Sequence, residues 1–160
     1  MLLDSHNEFC DAVALNTGGA GIYNLGSTID LVGLGANTVV GETTNEFPGN
    51  SEDIYLVIQV DTLPTSGTSA ATAQFKLVSD STAVPSADAT PTQHFATKAF
   101  AISEMAAGAQ LVKVELPIGT YERYLGIQQV TAGEAFTGGK INAFLTNRPN
   151  NWHAAKDAIN

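Results

Sequence analysis

The stretch Ile54-Tyr55-Leu56-Val57-Ile58-Gln59-Val60 decides the reading of this chain. It is dense in β-branched and aromatic residues and apolar on both faces, the pattern of a strand covered on two sides. Working outward, Ala71 to Val78 alternates, with Ala73, Phe75 and Leu77 on one face and Thr72, Gln74 and Lys76 on the other. Gln110 to Leu116 alternates more cleanly: Val112, Val114 and Leu116 point inward, Lys113 and Glu115 outward. Arg123 to Val130 and Lys140 to Thr146 complete the clear strands, and Thr28 to Val32 and Phe100 to Ser103 are weaker candidates. Between them lie stretches rich in Gly, Pro, Ser and Thr at residues 16–21, 41–53, 64–70, 81–92 and 117–120. Regular punctuation with little helical periodicity predicts an all-β jelly-roll sandwich. A helix is expected only near residues 5–14, where Ser5 could cap.

The 160 residues suit one domain, spanning 1–160, with neither an internal repeat nor a boundary. Residues 1–20 read as an N-terminal arm ahead of the Gly-rich Thr17-Gly18-Gly19-Ala20-Gly21, and residues 148–160 as a C-terminal tail carrying the only tryptophan, Trp152. Such terminal segments dock on neighbours or pack back on their own subunit. If the arm is separate from the sandwich, removing residues 1–15 leaves a folded β domain.

Charge narrows the partners. The formal net charge is −9, and all seven basic residues lie after position 75. Residues 1–75 hold nine acids and no base, among them Glu42, Glu46, Glu52 and Asp53 in one loop. This balance argues against nucleic acid and suits steering toward a basic partner or plain solubility. Charged residues are only 14% of the chain, which fits either a surface covered by other subunits or a β protein with a neutral polar exterior. No apolar run reaches the roughly 18 residues of a membrane helix. The start Met1-Leu2-Leu3-Asp4 lacks the basic, apolar pattern of a signal peptide, and the lone Cys10 has no internal disulfide partner.

Gly33-x-Gly35 is followed by Thr38 where a dinucleotide fingerprint needs glycine, and no phosphate-binding Gly-Lys-Ser/Thr occurs. His6, His94 and His153 are far apart, and His6 with Cys10 is only a pair, so neither a metal nor a cofactor is expected. No Gly-x-Ser-x-Gly elbow is present, and Cys10 between Glu8 and Asp11 lacks an activating base. Two carboxylates across a cleft would suffice for a glycosidase, with Glu122 and Glu134 as candidates, although Glu122 beside Arg123 reads better as a strand-end ion pair. Tyr23, Tyr55, Tyr121, Tyr124 and Trp152 are the pool for sugar stacking. The chain is not expected to be an enzyme.

Several stretches resemble a known family. They are Leu2-Leu3-Asp4-x-x-Asn7-x-Phe9-x-Asp11-Ala12-x-Ala14-Leu15, Tyr55 to Thr62, Ala73 to Asp80, Leu116-Pro117-x-x-x-Tyr121-Glu122-Arg123-Tyr124-Leu125-Gly126, and Phe136-Thr137-x-Gly139-Lys140-Ile141-Asn142-Ala143-Phe144-Leu145. In this order they are similar to phage head cement proteins of the type first named from a Bordetella phage. The resemblance implies a jelly-roll protein, made in the bacterial cytoplasm, that assembles as a dimer or trimer on the outer surface of an icosahedral head. Its partner would be the major capsid protein, whose subunits it bridges after the shell expands. Leu2, Leu3 and Phe9 of the arm, Trp152 of the tail and the acidic residues Glu42, Glu46, Glu52 and Asp53 are the expected contacts with capsid or subunit. A carbohydrate-binding or adhesin module on the same fold is the alternative.

Overall fold

The structure is a computed structural model and describes residues 7–15, 18–31, 54–117 and 120–146. Among the described residues nine antiparallel strands form two sheets: β1 (Glu8–Ala14), β2 (Gly21–Asp30), β3 (Tyr55–Ser66), β4 (Thr72–Asp80), β5 (Thr92–Ala96), β6 (Phe100–Ala101), β7 (Gln110–Glu115), β8 (Tyr124–Ala132) and β9 (Phe136–Thr146). Sheet A runs β1-β9-β3-β7; sheet B runs β2-β8-β4-β5, with β6 continuing the edge beside β4. The pairs β1 with β9, β2 with β8, β3 with β7 and β4 with β5 nest inside one another. That nesting builds an antiparallel two-sheet sandwich.

The core lies between the sheets. Leu56, Ile58 and Val60 of β3 face Ala73, Phe75 and Leu77 of β4, with Leu125 and Ile127 of β8 and Ile141, Ala143 and Leu145 of β9 filling the layer. Each large side chain buried here adds about 1.5–3 kcal/mol relative to exposure. The expected two-sided character of residues 54–60 is real: Val57 and its cross-strand neighbour Phe144 lie on the outer face of sheet A and are also buried. Val112 and Leu116 are buried, Val114 packs at the core margin, and Lys113 and Glu115 are exposed, as their alternation required.

The N-terminal segment corrects the sequence reading. Residues 8–14 form an edge strand on β9, not a helix, and so part of the stretch read as an arm belongs to the sandwich. Two register shifts interrupt this short pairing. Ala12 takes a left-handed φ of 49° and donates its N–H to Asn142 Oδ1 at 2.6 Å instead of to the ladder. The bulges turn two consecutive residues, Phe9 and Cys10, into the core. β1 then packs on β2, closing one side of the sandwich.

Candidate functional site

The most elaborated surface among the described residues is the outer face of sheet B, crossed by a strap formed by residues 81–86. The strap begins at Asp80, the last residue of β4. Its carboxylate accepts the N–H groups of Thr82 (3.0 Å) and Ser86 (3.2 Å) and the hydroxyl of Thr82 (3.1 Å), which folds the chain back over its own sheet. These backbone hydrogen bonds hold the Asp80 carboxyl below its ordinary value. Three side chains then hold the strap down: Thr28 Oγ1 donates to Ala83 O (2.8 Å), Asn24 Nδ2 to Pro85 O (2.6 Å) and Gln128 Nε2 to Ser86 O (2.8 Å). The ring of Pro85 lies on Gly126, where a Cβ would sit 3.3 Å from it.

The middle of β8 is therefore buried on both faces, and Gln128, outward in the strand, is 1% exposed. The strap raises Val84 to 72% exposure, and residues 81–87 carry no charge. A fixed loop with an exposed apolar crest can dock on a protein surface at little entropic cost.

The second exposed large apolar side chain among the described residues is Leu63, at 51%. It stands where β3 and β9 run on together as a two-stranded ribbon. There Gly139, at φ 108°, leaves room for Pro64, and the hydroxyls of Thr65 and Thr137 meet at 3.0 Å. The turn beyond is capped by Glu134, whose carboxylate accepts the N–H (2.9 Å) and hydroxyl (3.0 Å) of Thr68. The open edge of sheet B is blunted. Between β5 and β6, Thr97 donates its N–H to Phe75 O, and Lys98 pairs with Glu104. An interrupted, charged edge resists strand addition.

The carboxylates considered for glycoside chemistry do not meet. Glu122 precedes β8 and Glu134 follows it, so nine strand residues set them about 30 Å apart, against roughly 5–9.5 Å for such a pair. Nor does Glu122 pair with Arg123. The guanidinium makes a two-pronged contact with Asp30 (3.0 and 2.9 Å), while Glu122 accepts the hydroxyl of Thr92 at 2.7 Å. Tyr23 donates to Gly19 O, Tyr121 is buried, and Tyr124 lies under Arg123 at 4.9 Å. Burial, with Glu8 adding to it, pushes the Cys10 thiol up to about 12. Among the described residues no three or more His, Cys, Asp or Glu side chains are placed to hold a metal ion, and no helix is long and apolar enough to cross a membrane.

Of the expected contact residues, Phe9 is corrected: at 2% exposure it is a core residue of β1 and has no surface to offer. Leu2, Leu3, Glu42, Glu46, Glu52, Asp53 and Trp152 lie outside the described residues. Sequence reasoning missed the strap, because Asp80, Asn24, Thr28 and Gln128 meet only once β2, β4 and β8 are neighbours.

The fold and surface thus define a β-sandwich with a strapped outer face. The model of the Bbp16 family, a Bordetella phage family, matches residues 26–145, three quarters of the chain, and the chain belongs to that family. No curated protein matches it. With its β-rich fold, this membership places the chain among phage structural proteins of the virion.

Proposed function

We propose that the protein binds the outer surface of the icosahedral head and stabilises the expanded shell by bridging major capsid protein subunits. The family match over the sandwich carries this reading. A protein that binds the assembled shell and not the dispersed subunit adds its binding free energy to the shell by linkage. One that spans two subunits, or self-associates as a dimer or trimer, gains further from effective concentration and symmetry. The strap with Val84 at its crest is the contact element best prepared for this among the described residues. The blunted edge of sheet B makes strand addition there the poorer route.

The experiment is to add purified protein to expanded heads stripped of it and to count the bound copies after sedimentation. Saturation at a fixed ratio to the major capsid protein, with heads more resistant to heat, is the expected result. Absence of binding at every salt concentration would overturn the reading and turn attention to the glycan-binding module, for which a glycan array is the direct measurement.

A further inference from the structure

Beside the first turn of the strap, a histidine stands off the regular ladder. β5 pairs with β4 as Leu77 with Phe95 and then Val78 with Gln93, so His94 is the extra residue of a bulge. Bulges re-aim side chains, and this one points His94 at the sheet end. Its ring lies 4.1 Å from that of Tyr121, tilted by 31°, and its Nε2 is 2.7 Å from Ser79 Oγ. Ser79 Oγ in turn accepts the N–H of Glu122 at 3.0 Å. Tyr121 donates its hydroxyl to Pro117 O, and Thr92 donates its own to Glu122. The end of β4, the bulge of β5 and the segment entering β8 are therefore joined through one serine and one imidazole.

A serine, a histidine and a carboxylate in company suggest a nucleophile, but Ser79 is fully buried and no substrate reaches it. The joint is structural, and its chemistry makes it conditional. Ser79 Oγ already accepts from Glu122, and among the described residues the acceptor for its own proton is His94 Nε2 at 2.7 Å. That assigns a neutral imidazole with its proton on Nδ1. Protonation of Nε2 would reverse this bond: Nε2–H would donate to Ser79 Oγ, in competition with the Glu122 N–H, and the buried hydroxyl proton would lose the acceptor it had. His94 itself is half-buried, so protons reach it from solvent.

We propose that Ser79, His94 and the Tyr121-Glu122 segment form an acid-released latch, closed at neutral pH, that ties the entry of β8 to β4 and β5. Among the described residues the groups around His94 come from three elements. The β8 entry brings Tyr121 and Glu122, β4 brings Ser79 and β5 brings Thr92, while Asp80 is bound to the strap and Arg123 to Asp30. Burial holds His94 below its ordinary 6.5, with the charge of Glu122 pulling the other way. The unfolded chain therefore binds more protons in the window just below 6.5. The latch's contribution is whole above that value and is lost as the pH falls through the folded-state value.

The test combines a ring-proton NMR titration of His94 with hydrogen exchange of the Glu122 amide at about pH 7.5 and about pH 5. His94 is expected to titrate below 6.5. The protection of the Glu122 amide, corrected for intrinsic rate, is expected to fall on the order of fivefold in acid, the worth of one buried hydrogen bond. His94→Gln keeps an acceptor for Ser79 that does not titrate, and should retain that protection at the lower pH. A midpoint at or above 6.5, unchanged wild-type exchange, or equal loss in wild type and variant would each overturn the latch. Should His94→Gln fail to fold, the wild-type titration and exchange decide between the same outcomes.

Discussion

Gly26 sits at φ +65°, and a Cβ built there would lie 1.9 Å from the carbonyl oxygen of Phe9 and 2.8 Å from Cys10 Sγ. Both the backbone conformation and the approach of β1 to β2 exclude any larger residue. Gly26→Ala should cost roughly 2–5 kcal/mol, left-handed strain plus overpacking, measured by chemical denaturation. Asp80 makes a milder prediction. Its carboxyl is held low by the N–H groups it accepts, so the strap's anchorage is complete above the ordinary 3.8 and is lost as the pH falls through the folded-state value. Hydrogen exchange at the Ser86 amide should accelerate, relative to its intrinsic rate, only below about pH 4, and not in Asp80→Asn, where the pH step should vanish. Neither residue announces its role in the sequence. Gly26 stands among many glycines, and Asp80 in a Ser-Asp-Ser-Thr stretch reads as an ordinary turn.

At the scale of elements, β3, β4, β7, β8 and β9 were legible because their inward residues alternate or run continuously apolar. β1 was not. Its bulges place Phe9 and Cys10 together in the core, which destroys the period of two and leaves a spacing that imitates a helix. β5 escaped for a related reason, since the bulge at His94 breaks the pattern of a five-residue strand with few apolar side chains. The consequence for truncation is direct. Deleting residues 1–15 removes β1 with Phe9, Cys10 and Leu15 from the core, and the protein should lose its cooperative thermal transition instead of remaining a folded β domain. A variant retaining the sandwich after that deletion would show that β1 is dispensable.

At the scale of the whole molecule, surface contacts decide function. Val84→Asp should melt like the wild type, because the side chain is 72% exposed, yet bind stripped heads about tenfold more weakly by co-sedimentation, since docking would bury its charge. Equal binding would remove the strap from the contact surface while leaving head binding itself intact.

Composition and hydrophobic period by themselves determined the β class, most of the strands, the faces those strands turn inward and the acidic, charge-poor character. These are local or additive properties that a linear pattern carries. Only the tertiary structure decided that residues 8–14 close the sandwich, that Asp80 throws a strap over β8, and that His94 meets Ser79 and Tyr121. Each depends on bulges and on partners tens of residues away, and such contacts exist only after the sheets have paired.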